Sequence, residues 1–239
     1  SFPLGKDVSL SEVTVSSAAN LRGVGMRPGP FGFVLEKSDL ELKLSNNTMK
    51  VAGQVMLNGV PLTLDWHEVF AKGQELRSRY ILSGKVNSTA FERLGFPDIP
   101  VLSGDVETNV ILTRFGDGRS EVLASGDLGQ TVLSIPQIGW LKPLGEPGNF
   151  QLGLLLTTDG TLKIENFTVN APGLEIAGEV DVEDQLNLAR QRADQQNEEF
   201  DEPRMKESIE ATLKREAVLD FVANKLNIKF IEVETFTNV

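Results

Sequence analysis

From Leu40 to Val182 apolar and polar residues alternate in short runs separated by turn-forming pairs, and Thr48–Trp66 shows this most plainly. Met49, Val51, Gly53, Val55 and Leu57 share one parity, while Lys50, Ala52, Gln54 and Met56 take the other. Successive side chains of a strand point to opposite faces, so this spacing predicts a strand with one apolar and one mostly polar face. Asn58-Gly59 comes next, a pair that tolerates the positive φ angles of a type I′ turn. Val60, Leu62, Leu64 and Trp66 then repeat the apolar parity on the way back. The stretch reads as a β-hairpin, and a lone hairpin cannot bury its apolar face. Further strands are expected to do that.

Before the hairpin, Ser1–Ser17 alternates weakly through Val8, Leu10, Val13 and Val15, as one or two edge strands would. Asn20–Gly32 holds Gly23, Gly25, Pro28, Gly29 and Pro30, a density of breakers that predicts a loop. Leu40, Leu42 and Leu44 alternate with Glu41 and Lys43 up to the turn at Ser45-Asn46-Asn47. After the hairpin the period is lost over Trp66–Gln74, expected as a rim loop, and returns over Arg79–Val86 with Tyr80, Leu82 and Val86. Ser88–Leu94 reads as one or two helical turns, with Ser88 as N-cap and Gly95 as the stop. Val106, Val110 and Leu112 mark the next strand, turned by Gly116-Asp117-Gly118 and followed by Glu121–Ala124 and Leu128–Ile135. Ile135–Phe150 surrounds Trp140 with Pro136, Gly139, Pro143, Gly145, Pro147 and Gly148 and is expected to be a structured loop. Phe150, Leu152, Leu154 and Leu156 lead into Asp159-Gly160, Leu162–Val169 returns, and Leu174, Ile176, Gly178, Val180 and Val182 form the last clear run. Connections this short predict antiparallel pairing of sequential neighbours, in roughly ten strands.

The composition changes after Asp181, so a boundary is placed near Val182–Gln185, between a β domain over 1–182 and a helical C-terminal segment over 183–239. Pro203 suits a first helical turn, and Met205, Ile209, Leu213, Val218, Leu219, Val222 and Leu226 keep a helical face beyond it. Asn227–Val233 is either a last strand or an extended tail. The fold class is therefore mainly β: a curved antiparallel sheet, an open groove or barrel-like, followed by C-terminal helices. Alternation fits a closed barrel and a curled open sheet equally. An uncovered apolar stripe promotes aggregation, so the C-terminal helix is expected to pack on the apolar face.

Composition narrows the function classes. The formal net charge of −11 comes without a Lys/Arg cluster, which argues against nucleic-acid partners. No apolar run is long enough to span a membrane as a helix. Ser1–Asn20 lacks the basic start and apolar core of a signal peptide, and a signal or membrane anchor lost with a segment upstream of Ser1 is the expectation. The chain has no Cys, which excludes disulfide and thiolate chemistry.

Catalytic chemistry finds little support in the residue pattern. His67 is the single histidine. With Asp65 and Glu68 beside it, it falls short of the three or four ligands a metal site usually needs, and no Gly-x-Ser-x-Gly elbow is present to complete a triad. The carboxylate pairs Asp105/Glu107 and Glu175/Glu179 sit on the parity opposite the apolar face, where solvated surface is the reading. The expectation is a non-enzyme with no catalytic residue, no metal and no cofactor. Trp66 and Trp140, both near loop–strand junctions, either cap a core or flank the mouth of a groove.

Three stretches carry a family resemblance. They are Leu64-Asp65-Trp66-His67-Glu68-Val69-Phe70; Tyr80-Ile81-Leu82-Ser83-Gly84 leading to Phe91-Glu92-Arg93-Leu94-Gly95; and Ile135–Pro143 with Gly145 and Pro147-Gly148 behind it. In this order they resemble the AsmA-like superfamily of bacterial envelope proteins (the TamB and YhdP type), over about residues 31–182. The resemblance implies a sheet curled into an apolar groove that holds phospholipid acyl chains, in a periplasmic, inner-membrane-associated protein. The lining would be Val51, Val55, Leu62, Leu82, Val110, Leu152, Leu154 and Ile176, with Trp66 and Trp140 at the mouth. Residues 203–232 are similar to the helical C-terminal region of trigger factor, which implies the alternative of a chaperone-like or scaffold module. Exposed sheet edges make edge-to-edge self-association plausible.

Overall fold

The computed structural model describes residues 14–27, 33–95, 99–159, 162–181 and 227–229. Eleven strands form one antiparallel sheet: β1 (Ser16–Met26), β2 (Leu35–Ser45), β3 (Thr48–Leu57), β4 (Val60–Val69), β5 (Leu76–Val86), β7 (Val106–Phe115), β8 (Ser120–Asp127), β11 (Asn149–Leu156), β12 (Leu162–Ala171), β13 (Leu174–Asp181) and β14 (Asn227–Lys229), in that spatial order. The sheet is curved and does not close, with β1 at one edge and β14 at the other. A helix, α1 (Ser88–Arg93), and a second sheet ordered β10 (Trp140–Lys142), β9 (Thr131–Ile135), β6 (Leu102–Gly104) complete the described fold.

The alternation places the strands where expected, and the hairpin of β3 and β4 is the clearest case. Asn58 and Gly59 sit at φ 47° and 78°, and the ladder runs without a slip from Leu57–Val60 to Thr48–Val69. Three local expectations are corrected. Asn20–Gly32 is not all loop, because β1 runs through Asn20 to Met26; two register shifts, beyond Leu21 and beyond Val24, let its breakers sit in a ladder. The strand β4 extends to Val69, so the rim loop begins at Phe70 and His67 belongs to a strand. The cap of α1 is Asn87, whose side chain accepts from the Ala90 N–H at 3.0 Å, while Ser88 is the first helical residue.

A larger correction concerns pairing. β5 pairs with β7 and β8 pairs with β11, not each with the strand that follows it. The intervening chain leaves the main sheet twice, at the end that carries the Asn58-Gly59 turn, here the upper end. These two inserts hold α1 with β6, and β9 with β10. Thus Ile135–Phe150 is not element-free: it contributes a 3₁₀ turn at Pro136–Ile138, β10 and the start of β11. The C-terminal helices and the boundary near residue 182 lie outside the described residues; the described terminal strand is β14, pairing with Glu175–Ala177 of β13.

Register defines an inner face of the main sheet. One row across it reads Leu21, Leu40, Gly53, Leu64, Leu82, Val110, Ala124, Leu152, Phe167 and Gly178. The buried core lies on this face toward the upper end and includes Val55, Leu57, Val60, Leu62, Val86 and Val106. Two glycines allow close approach there. A Cβ on Gly126 would lie 2.2 Å from the Phe150 ring and 2.8 Å from Val106, so only a bare backbone lets that ring lie flat on β8. Gly53 has φ 151°, and a Cβ on it would stand 2.1 Å from the Asp39 carbonyl oxygen. It faces an irregularity in β2 where Lys37 has φ 47°. There the fully buried Ser38 hydroxyl donates to the Glu36 carbonyl at 3.1 Å and accepts from the Met56 N–H at 3.4 Å.

Gly53→Ala therefore forces the β2 and β3 backbones apart. We expect a loss of about 3 kcal/mol or more in urea titrations. Gly73→Ala, at a site with nothing within 4 Å of the added carbon, should lose only about 1 kcal/mol from its positive φ.

Candidate functional site

The two inserts fold back over the upper end of the inner face. Ala90, Phe91 and Leu94 of α1 and its stop pack on the core, as do Leu102 and Trp140, with Leu128 and Leu133 buried in it. Hydrogen bonds pin this cover at both ends. The Asn58 side chain donates to the Arg93 carbonyl at 2.9 Å and accepts from the Val34 N–H at 2.8 Å, tying α1 to the β3–β4 turn. The Trp140 indole donates to the Pro172 carbonyl at 3.1 Å, tying β10 to the β12–β13 turn. Trp140 also packs against both buried clusters, so it bridges them.

Inside the cover lies a lysine. Lys142 is 1% exposed, and its Nζ donates to the Thr131 carbonyl at 2.9 Å and the Pro143 carbonyl at 3.3 Å. Thr131, fully buried, donates its hydroxyl to the Leu128 carbonyl at 2.7 Å, and the Leu128 N–H reaches the Gly148 carbonyl at 2.9 Å. The ammonium thus stitches together a loop that has few ladder bonds of its own. Desolvation pulls the Lys142 pKa down, partly opposed by Glu146 and Asp127.

Below the cover the inner face is less protected. Val110 and Leu112 of β7, Val122 of β8, and Leu152 and Leu154 of β11 are half-buried, and Leu156 is 42% exposed. Register makes them contiguous: Leu112, Val122 and Leu154 stand opposite one another, and Val110 faces Leu152 across Ala124. None belongs to the buried core. The lower rim of the same face is polar. Trp66 stacks on Tyr80 with ring centroids 5.2 Å apart and donates to Glu68 Oε2 at 3.0 Å. Tyr80 hydrogen-bonds with Ser78 and Arg114, and burial followed by the nearby Glu68 raises its pKa.

All eight positions expected to line a groove lie on this inner face, which the residue parity had implied. They do not form one surface. Val51, Val55, Leu62 and Ile176 are 3–6% exposed and packed within the protein, because the inserts and neighbouring strands cover them. Leu82 leans on that core, and Val110, Leu152 and Leu154 belong to the half-covered stripe. Trp66 lies on the inner face near the lower rim, and Trp140 lies in the cover at the upper end, so the two are not partners across one opening.

Three contributors lie outside the lining expected from the sequence. Glu68 and Arg114 fall on the apolar parity of their strands, a signal that was present, whereas the buried role of Lys142 had no local signature. His67 lies on the outer face between Lys50 and Arg79, with Nε2 buried and without a hydrogen-bond partner. Among the described residues no cluster of His, Asp or Glu is arranged to hold a metal ion, and no helix is long and apolar enough to cross a membrane. Comparison with protein-family models, with curated proteins and with solved structures gave no match.

Two outcomes test the cover. Asn58→Gly keeps the turn conformation and removes both side-chain bonds; it should cost about 1–2 kcal/mol and speed amide exchange in α1 before it affects β3. Lys142 carries a folded pKa below its ordinary 10.5, so the unfolded chain holds the proton more tightly. Stability from this group should rise as pH climbs toward that value. Denaturant titrations between neutral pH and about pH 10 should show the stability of the parent rising relative to that of Lys142→Met.

Proposed function

We propose that the lower half of the inner face binds the acyl chains of a lipid, without catalysis. The observation that carries this reading is the contiguous aliphatic stripe from Val110 and Leu112 through Val122 to Leu152 and Leu154, left outside the buried core on the inner face. Aliphatic side chains without a polar partner in the stripe suit a hydrocarbon chain better than a peptide, whose backbone brings polar groups to be satisfied. Each methylene removed from water contributes about 0.8 kcal/mol. About ten would supply roughly 8 kcal/mol against the cost of ordering the chain. The stripe ends at the polar rim formed by Glu68, Ser78 and Arg114, where a headgroup would stay hydrated.

The likeness of three stretches to AsmA-like envelope proteins supports the same reading and suggests a periplasmic setting, in which a module of this kind holds or passes phospholipid between membranes. The chaperone-like alternative depends on C-terminal helices outside the described residues, and no structural observation favours it.

Mass spectrometry of an organic extract from detergent-free protein tests the proposal. Phospholipid near one equivalent is expected from the parent chain. Leu154→Glu puts a carboxylate in the stripe at a half-buried site, so it should strip that lipid while far-ultraviolet circular dichroism stays unchanged. A lipid-free parent extract, or a folded Leu154→Glu protein with undiminished lipid, would overturn it.

A further inference from the structure

The inner face carries very little charge. At the paired positions of the eleven-stranded sheet, the register puts two charged side chains on that face, Glu68 of β4 and Arg114 of β7. They share one row, on either side of Ser78 of β5. Their backbones are thus two strand spacings apart, roughly 10 Å, with side chains able to reach toward each other across the row. Ser78 is 1% exposed, so it forms the floor between them. Arg114 is solvent-exposed and Glu68 half-buried.

Both charges are held in place. The Trp66 indole occupies one oxygen of Glu68, and a carboxylate has room for about four donors in all. Tyr80 hydrogen-bonds with Arg114, and a guanidinium offers five N–H donors, more than a bidentate phosphate contact and a phenol together need. The row also borders the aliphatic stripe: Arg114 follows Leu112 on the same face of β7 and stands opposite Ser120, which in turn faces Leu156.

Resting on the acyl-chain reading above, we infer that Glu68 and Arg114 select a lipid with a zwitterionic headgroup, its phosphate held by Arg114 and its primary ammonium by Glu68. A singly anionic headgroup would satisfy Arg114 but meet the carboxylate as a like charge. A purely cationic one would meet Arg114 in the same way. The opposed pair therefore favours a headgroup that carries both signs a few bonds apart, with the chains laid on Leu112, Val122 and Leu154. Because the pair sits at a solvated rim, the selection is modest.

The full chain is incubated with vesicles of phosphatidylethanolamine and phosphatidylglycerol in equal amounts with matched acyl chains, then separated, extracted and analysed by mass spectrometry. We expect the ethanolamine lipid to be enriched roughly threefold over its share in the vesicle, the scale of a partly exposed charge contact. Glu68→Gln should lose the enrichment, the ethanolamine share of the bound lipid falling to its share in the vesicle. Arg114→Gln should lower the loading of both lipids severalfold. Bound lipid that mirrors the vesicle composition in the parent protein overturns the headgroup assignment and leaves acyl-chain binding standing. An enrichment that survives both substitutions overturns it as well. A protein that takes up neither lipid overturns acyl-chain binding itself, and the headgroup assignment with it. The parent measurement decides the matter even if a variant fails to fold.

Discussion

An antiparallel sheet with one apolar face must cover that face, and this chain meets the constraint with segments inserted between its own strands. The inserts after β5 and β8 leave from the same end, fold back, and seal the upper half of the inner face. Their hold is both apolar and directional. Phe91, Leu102, Leu133 and Trp140 fill the space, while Asn58 and Trp140 fix the two ends by bonds to backbone carbonyls. The Lys142 ammonium adds bonds to the Thr131 and Pro143 carbonyls within the cover. The surface ion pairs, such as Lys85–Glu107 at 3.1 Å with both partners mostly exposed, contribute at most about 1 kcal/mol each. Burial under the cover holds the fold.

The same arrangement divides the inner face into unequal parts. Toward the Asn58-Gly59 turn, side chains such as Val60 and Val106 are almost fully enclosed. Toward the opposite rim, aliphatic side chains of β7, β8 and β11 stay half-buried and meet a row of polar groups. A ligand reading attaches to the second part alone. The chemistry placed there is also economical: an apolar stripe, an aromatic stack, and one charge of each sign. On the lipid reading proposed above, these are the groups that an amphiphile laid on the stripe would meet.

Much of the architecture was legible because period-two alternation is a local property of a strand. Met49 to Leu57 and Val60 to Trp66 announce their faces without reference to any other part of the chain, and Asn58-Gly59 announces the turn between them. The failures arise where a local rule met a tertiary compensation. The glycines of Asn20–Met26 look like loop residues until register shifts in the ladder accommodate them. Leu128–Ile135 looks like one more strand of the main sheet; Thr131–Ile135 within it is a strand, but it pairs elsewhere. Of the eight expected lining residues, parity told the face correctly and could not tell which were already covered.

By itself, then, the sequence determined most of the strand segments, which parity is apolar, and where the tight turns between them fall. These depend on neighbours in the chain and on backbone stereochemistry. The tertiary structure alone decided that the sheet stays open, that β5 meets β7 and β8 meets β11, and that the inserts cover one half of the inner face. It also brought Glu68 and Arg114 into one row beside the exposed stripe. Those outcomes depend on contacts between segments tens of residues apart, where any strand with a matching face could serve as partner and only the packing of the whole selects among them.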